Sequence, residues 1–240
     1  MRVFRPRALA AGFFALSLIS ATPALALSVT YTFTGSTGHQ TSEPVDSQPI
    51  DATLSDITRG AGVIANAGAN SINSRGWTTA ATIDLADYYQ FTITPDAGVT
   101  MDLTALTFTE RRSATGVGAF QVRTSLDSFA SPIFTFDVPD NDANRRHTIA
   151  LGAAFEDLFN PVTFRIFGYE AEGSLGTWRL GIDVGSTGAS LHPSNLELLG
   201  YVGVAQVPQP ASVILMGTGL LGIVTIAWRR RLRVARKRSS

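Results

Sequence analysis

Phe91-Thr92-Ile93-Thr94-Pro95-Asp96-Ala97-Gly98 decides how this chain is read. Apolar and polar residues alternate over four positions, and a Pro-Asp-Ala-Gly turn stops them. Period two sends successive side chains to opposite faces of a strand, while proline and glycine end it. The signature recurs on both sides. Val29, Tyr31 and Phe33 alternate with threonines, and Leu106-Thr107-Phe108-Thr109 repeats the pattern with a phase slip near Ala105 that reads as a bulge. Phe120 and Val122 face away from Gln121 and Arg123, and Phe134, Phe136 and Val138 alternate with Thr135 and Asp137. Val162, Phe164 and Ile166 oppose Thr163, Arg165 and Phe167. Trp178, Leu180, Ile182 and Val184 make a further row, and Leu196 to Val204 closes the series. Threonine and aromatic side chains suit a pleated, half-buried surface.

Roughly eight to ten such strands, with no helices alternating between them, predict an all-β fold. The expected architecture is a two-layer antiparallel β-sandwich, jelly-roll-like. Only Ala153 to Phe159 reads as helical, over two turns. The Gly/Ala/Asn/Ser-rich segment from Gly38 to Thr79 reads as long loops joining a first edge strand to the main sandwich.

The ends carry a different message. Arg2, Arg5 and Arg7 precede a charge-free apolar stretch from Ala8 to Ala21, then Pro23 and the triplet Ala24-Leu25-Ala26. A basic start, a short apolar region and a small-x-small site make a secretory signal peptide, with a signal helix and cleavage after Ala26. Translocon and signal peptidase are the partners this implies. At the other end, Ala211 to Trp228 is an 18-residue charge-free run. As a helix it would span about 27 Å, close to a hydrocarbon core of about 30 Å. Arg229, Arg230, Arg231, Arg233, Arg236, Lys237 and Arg238 follow, and positive charge there places that side in the cytoplasm. The expected organisation is a signal peptide at 1–26, a β-sandwich ectodomain at 27–206 and a tail at 207–240. The tail divides into a motif at 207–212, a transmembrane helix at 211–228 and a basic cluster at 229–238.

Val207-Pro208-Gln209-Pro210-Ala211-Ser212 enters the apolar run directly. Two prolines flanking one residue hold the backbone extended. In order, spacing and position this tail resembles the PEP-CTERM sorting family, in which a Pro-Glu-Pro motif, a hydrophobic helix and a basic cluster close the chain. Gln209 stands where that family usually has Glu. The resemblance implies an exosortase, a membrane cysteine transpeptidase, as processing partner. It also implies an inner-membrane single-pass precursor that passes to the cell surface or extracellular matrix. Four internal segments (Glu110 to Ser113, Val122 to Phe129, Thr163 to Tyr169 and Gly176 to Leu180) are similar to the ectodomain of one large PEP-CTERM subgroup, which implies a sandwich module and no activity. A permanent single-pass anchor is the plainer reading of the same tail.

Charge divides along the chain. All 19 acidic residues lie between Ala26 and Gln206 against nine arginines, a net −10 for the ectodomain. Nucleic acid, bound chiefly through cation–phosphate contacts, is thereby disfavoured as a partner. Cysteine is absent, so no disulfide holds the fold and no thiol can act as nucleophile. His39, His147 and His192 are scattered without metal-ligand spacing and read as solvated loop residues. Glu156 with Asp157, and Glu170 with Glu172, are the carboxylate pairs a secreted hydrolase would need, but such pairs are common on surfaces.

No catalytic residue and no obligate cofactor is therefore expected. Asp137, Asp140 and Asp142 sit in an Asp/Asn turn that could hold a structural calcium ion, though without EF-hand spacing. Arg111, Arg123, Arg165 and Arg179 alternate with apolar residues and suit cross-strand ion pairs with acidic residues. The sharper alternative is a face where Trp77, Tyr88, Tyr89 and Tyr169 stack on sugar, making the domain a carbohydrate-binding module for extracellular polysaccharide. The leading expectation is a non-enzymatic exported protein with a structural or adhesive sandwich.

Overall fold

A computed structural model describes residues 24–181 and 193–204. The tail, most of the signal segment, His192 and the Ile182–Val184 continuation of one row lie outside the described residues. The signal and transmembrane helices expected from sequence fall there too.

Among the described residues, fourteen strands form two seven-stranded antiparallel sheets that pack face to face as a sandwich. In the first sheet the order runs β1 (Leu25–Thr32), β14 (Asn195–Val204), β8 (Val99–Arg112), β13 (Thr177–Gly181), β6 (Ser71–Arg75) and β5 (Ile64–Ala65). A further strand, β11 (Arg145–Ala150), pairs with β8. The second sheet runs β10 (Pro132–Asp137), β9 (Ala119–Thr124), β12 (Val162–Tyr169), β7 (Tyr88–Pro95), β4 (Ile57–Arg59) and β2 (Ser42–Glu43), with β3 (Ala52–Leu54) also on β7. The first strand does lie at a sheet edge, and the turn after Thr94 ends β7 at Pro95 as expected.

Alternation builds the core. Tyr89, Phe91 and Ile93 of β7 point inward with Val162, Phe164 and Ile166 of β12, all 1% exposed or less. Phe91 stacks on Phe164 at 5.2 Å, and Tyr31 of the first sheet meets Phe91 at 5.6 Å across the interior. Burying an aromatic or branched side chain contributes about 1.5–3 kcal/mol, so these rows hold the layers together without disulfides. The bulge near Ala105 is present. Leu199 pairs with Ala105 but Gly200 with Leu103, so Thr104 is the extra residue. Its carbonyl accepts the Leu151 N–H at 2.9 Å.

Two expectations are corrected. The segment from Gly38 to Thr79 is not mere loop: it contributes β2 to β6 to both sheets. Its residues are small and polar, so hydrophobic period is absent, yet Ser71, Ile72, Asn73 and Ser74 are buried between strand neighbours. The two helical turns at 153–159 reduce to a single 3₁₀ turn, Ala153–Phe155, which buries Phe155 against Phe164 while Phe159 is exposed.

Candidate functional site

The alternation that fills the core also fixes what the outer face of the second sheet presents. On β7 the outward row is Tyr88, Gln90, Thr92 and Thr94; on β12 Thr163, Arg165, Tyr169 and Phe167, the last fully buried; on β9 Gln121 and Arg123. Register sets the neighbours. Arg165 stands opposite Gln90 on one side and Arg123 on the other, and Phe167 opposite Tyr88 and Gln121.

Arg165 is the centre of this face. Its guanidinium carbon lies 4.3 Å from the Tyr88 ring centroid and 4.1 Å from that of Phe129, so aromatic rings flank the cation. Its Nε donates to Gln90 Oε1 at 3.1 Å. Tyr88 in turn meets Phe167 edge-on at 5.5 Å. Phe129 reaches Arg165 from the loop after β9, where a 3₁₀ turn, Ser125–Asp127, is followed by Ser128 and Phe129 at φ 60° and 61°. Left-handed backbone at two successive residues with side chains carries strain and needs support. Support comes from two sides. The Asp127 carboxylate accepts the Ala130 and Ser131 N–H groups at 3.1 and 2.8 Å, and Arg123 Nη1 donates to the Phe129 and Ala130 carbonyls at 2.9 and 2.8 Å. Arg123 also donates twice to Gln121 Oε1, whose amide Nε2 donates to the Tyr169 hydroxyl at 3.3 Å.

The four aromatic residues expected on one sugar-stacking face are divided by the fold. Tyr88 is half-buried on the outer face. Tyr169 shares that face but is buried, where the segment before β7 runs back along β12 and Glu170 N–H donates to Ala80 O. Trp77 and Tyr89 face the interior, a correction: period two turns Tyr89 away from Tyr88, and its hydroxyl donates to Trp178 O at 2.8 Å. Trp77 packs edge-on to Tyr89 and Trp178, each at 5.3 Å. Phe129, Gln90 and Gln121 belong to the face but were not singled out from sequence. Only register and the loop conformation bring them to Arg165.

The four arginines form two like-charged cross-strand pairs on opposite outer faces, Arg123 with Arg165 and Arg111 with Arg179. Arg111 matches the expected ion pairing, with Asp142 at 2.8 Å, and holds that carboxyl below its usual range. Asp140 lies 3.5 Å from buried Arg112, which also pairs with Glu172, while Asp137 is exposed at the end of β10. Among the described residues no group of three His, Asp or Glu side chains is arranged to hold a metal ion.

His39 is exposed, as expected of a loop residue. His147 is instead buried in β11, with the Phe136 ring at 4.5 Å and Phe120 at 5.1 Å. Its Nε2 lies 3.4 Å from Glu110 Oε1, a carboxylate with no exposure that also receives Arg145 Nε at 2.6 Å. Of the carboxylates weighed for hydrolysis, Glu156, Asp157, Glu170 and Glu172 are all exposed.

A second, smaller feature is an open depression of about 340 Å³ beside Ser36, Gln40 and Glu43. The Glu43 carboxylate is buried there and accepts Ser36 Oγ at 2.7 Å and Gln40 Nε2 at 2.5 Å. Burial raises its pKa despite those hydrogen bonds.

Comparison with known proteins identifies a PEP-CTERM protein-sorting motif at residues 206–231. No curated protein matches the chain. Among solved structures, the chain is similar to family 29 carbohydrate-binding modules. One has 12% identity and TM-score 0.36 over 74% of this chain and 93% of that one; another has 10% identity and TM-score 0.35 over 72% and 89%. It is also similar to the K1 cleaved adhesin domain of Lys-gingipain from Porphyromonas gingivalis, at 13% identity and TM-score 0.34 over 72% of this chain and 97% of that one.

Proposed function

We propose that this chain, which carries a PEP-CTERM protein-sorting motif, is an exported protein processed through its tail by an exosortase-type transpeptidase. Its destination is the cell surface or extracellular matrix, and its sandwich acts there without catalysis, as a structural or adhesive module. The observation that carries this reading is the motif at 206–231, which begins just after the last strand ends at Val204. The signal segment agrees with it. Cleavage after Ala26 removes exposed Leu25 but spares Leu27, Val29 and Tyr31, the residues by which β1 enters the core.

Intact mass of the protein recovered from the outer surface or medium of its host tests this. A chain running from Leu27 to near Pro210 is the expected result. A mass that retains Arg229 to Ser240, found only in the inner membrane, means a permanent anchor and sinks the sorting proposal.

A second reading concerns the sandwich itself, as a carbohydrate-binding module. It is favoured by Arg165, flanked by Tyr88 and Phe129 on a face whose neighbours are amides and threonines. Retention on an extracellular polysaccharide column, lost on Tyr88→Ala, is the expected behaviour. Elution of both proteins in the void volume would rule it out.

A further inference from the structure

We infer that the outer face of the second sheet binds a carboxylated sugar, a uronate-bearing polysaccharide, through the edge of the Arg165 guanidinium. This rests on the carbohydrate-binding reading and narrows its ligand.

Like charges directly opposite on neighbouring strands are destabilising unless something compensates them. Arg123 and Arg165 are such a pair, and neither forms an ion pair with a carboxylate among the described residues. The ectodomain carries ten more acidic than basic residues, so carboxylates are plentiful, yet none among the described residues forms an ion pair with either arginine. The corresponding pair on the opposite face differs, because Arg111 has Asp142 at 2.8 Å.

The two members of the outer pair are used differently. Arg123 spends its donors on Gln121 and the loop carbonyls of Phe129 and Ala130. Among the described residues, Arg165 has only its Nε bonded, to Gln90, and its two Nη groups have no protein acceptor. Rings lie near its planar group at 4.3 and 4.1 Å. The two Nη groups form one edge of a planar fork, and such an edge matches the two oxygens of a carboxylate in plane. Lysine has no such fork. The strained loop that delivers Phe129 is tied down by Arg123, so the cation is pre-oriented before any ligand arrives.

The surroundings suit a polyol rather than a peptide acid. Gln90, Gln121, Thr92 and Thr163 offer amide and hydroxyl groups along adjacent strands, with Tyr88 as an apolar edge. A sugar ring presents both kinds of surface, and its hydroxyls pair with amides in either sense. Arg123 adds a second positive charge without a competing carboxylate, which favours an anionic chain on this face of an otherwise acidic domain.

Affinity electrophoresis and calorimetry of the full-length chain in detergent, at low ionic strength, test the inference. The probes are polygalacturonate, its fully methyl-esterified form, neutral dextran and poly-L-glutamate. Polygalacturonate should bind at least about tenfold more tightly than its ester. Arg165→Ala and Arg165→Lys should each lose on the order of 10- to 100-fold, the lysine because it keeps the charge without the fork. The unmodified protein with acid and ester forms needs no variant, so the comparison survives if Arg165→Ala unfolds.

Equal binding of acid and ester, still lost on Tyr88→Ala, overturns the uronate assignment and leaves the carbohydrate-binding reading standing. Poly-L-glutamate binding as tightly as polygalacturonate also overturns the sugar assignment. Binding to none of the three polysaccharides overturns both.

Discussion

The indole Nε1 of Trp178 donates to Glu110 Oε2 at 2.7 Å inside the sandwich. The inward row of β8 runs Leu106, Phe108, Glu110, Arg112, so it passes from apolar to charged at one end of the interior. Glu110 is satisfied there by Trp178, Arg145 and His147. A buried carboxylate that loses a partner keeps its desolvation cost, whereas removing both partners together costs less.

Trp178→Phe should therefore destabilise the protein by about 1–3 kcal/mol beyond the loss of ring area. In a Glu110→Gln background the same change should cost less, leaving a coupling of about 1–2 kcal/mol in a double-mutant cycle. Denaturant melts of the four proteins measure it. Strict additivity would show that the hydrogen bond carries no energy.

Gly168 of β12 lies against the other side of the same aromatic cluster. A Cβ there would come within 2.8 Å of Val117 Cγ1 and 2.9 Å of Trp77 Cε3. Both neighbours are buried, so neither can move aside cheaply. Gly168→Ala should cost about 1–3 kcal/mol from overpacking, read as a lowered midpoint of thermal unfolding. An unchanged midpoint would mean that the interior beneath Tyr169 has slack.

Much of this was legible beforehand. Apolar alternation gave β7, β9, β10 and β12, and a single slipped phase located the Thr104 bulge. What escaped did so for separate physical reasons. Ser71 to Arg75 is a buried strand made of side chains too small and polar to show a period. Arg123 and Arg165 each read as outward from their own strands, but that they stand side by side depends on which strands pair. Phe129 reaches the site through two left-handed residues, a conformation that Ser and Phe do not advertise. Tyr88 and Tyr89 are adjacent in sequence, and only the inward phase of β7 assigns one to each face.

Glu43 yields a pH prediction. Burial holds its folded pKa above the ordinary 4.5. Asp87, whose carboxylate accepts the Thr78 N–H at 2.7 Å, is likewise raised above 3.8 by burial. A carboxyl raised on folding contributes stability that is full below its unfolded pKa and is lost as pH rises through the folded value. Glu43→Gln keeps the shape and removes the buried charge. The variant should thus be more stable than the parent at neutral pH, with the gap closing as pH falls toward about 4. Urea midpoints across that range provide the measurement. A gap independent of pH would show that Glu43 does not titrate differently in the folded protein.

The loop that carries Phe129 depends on Asp127, whose two oxygens accept the Ala130 and Ser131 N–H groups. Each such bond contributes about 1 kcal/mol net. Losing them should loosen the strained Ser128–Phe129 backbone, which is then held by Arg123 and by the Ser128 and Phe129 N–H groups on the Ser125 and Thr124 carbonyls at 3.1 and 2.9 Å. Asp127→Ala should accordingly speed hydrogen exchange at Ala130 and Ser131 by about tenfold. Exchange from Arg165 to Phe167 in β12 should not change, since those residues pair with β7 and β9, whereas the Thr163 N–H donates to Ser125 Oγ in the loop itself. The same variant should bind polysaccharide more weakly while melting within about 1–2 kcal/mol of the parent, because the ring over Arg165 becomes free to leave. If exchange at Ala130 and Ser131 is unchanged, the loop is set by something other than Asp127. Phe129 would then stay beside Arg165 without Asp127, held by Arg123 and by its own N–H on the Thr124 carbonyl.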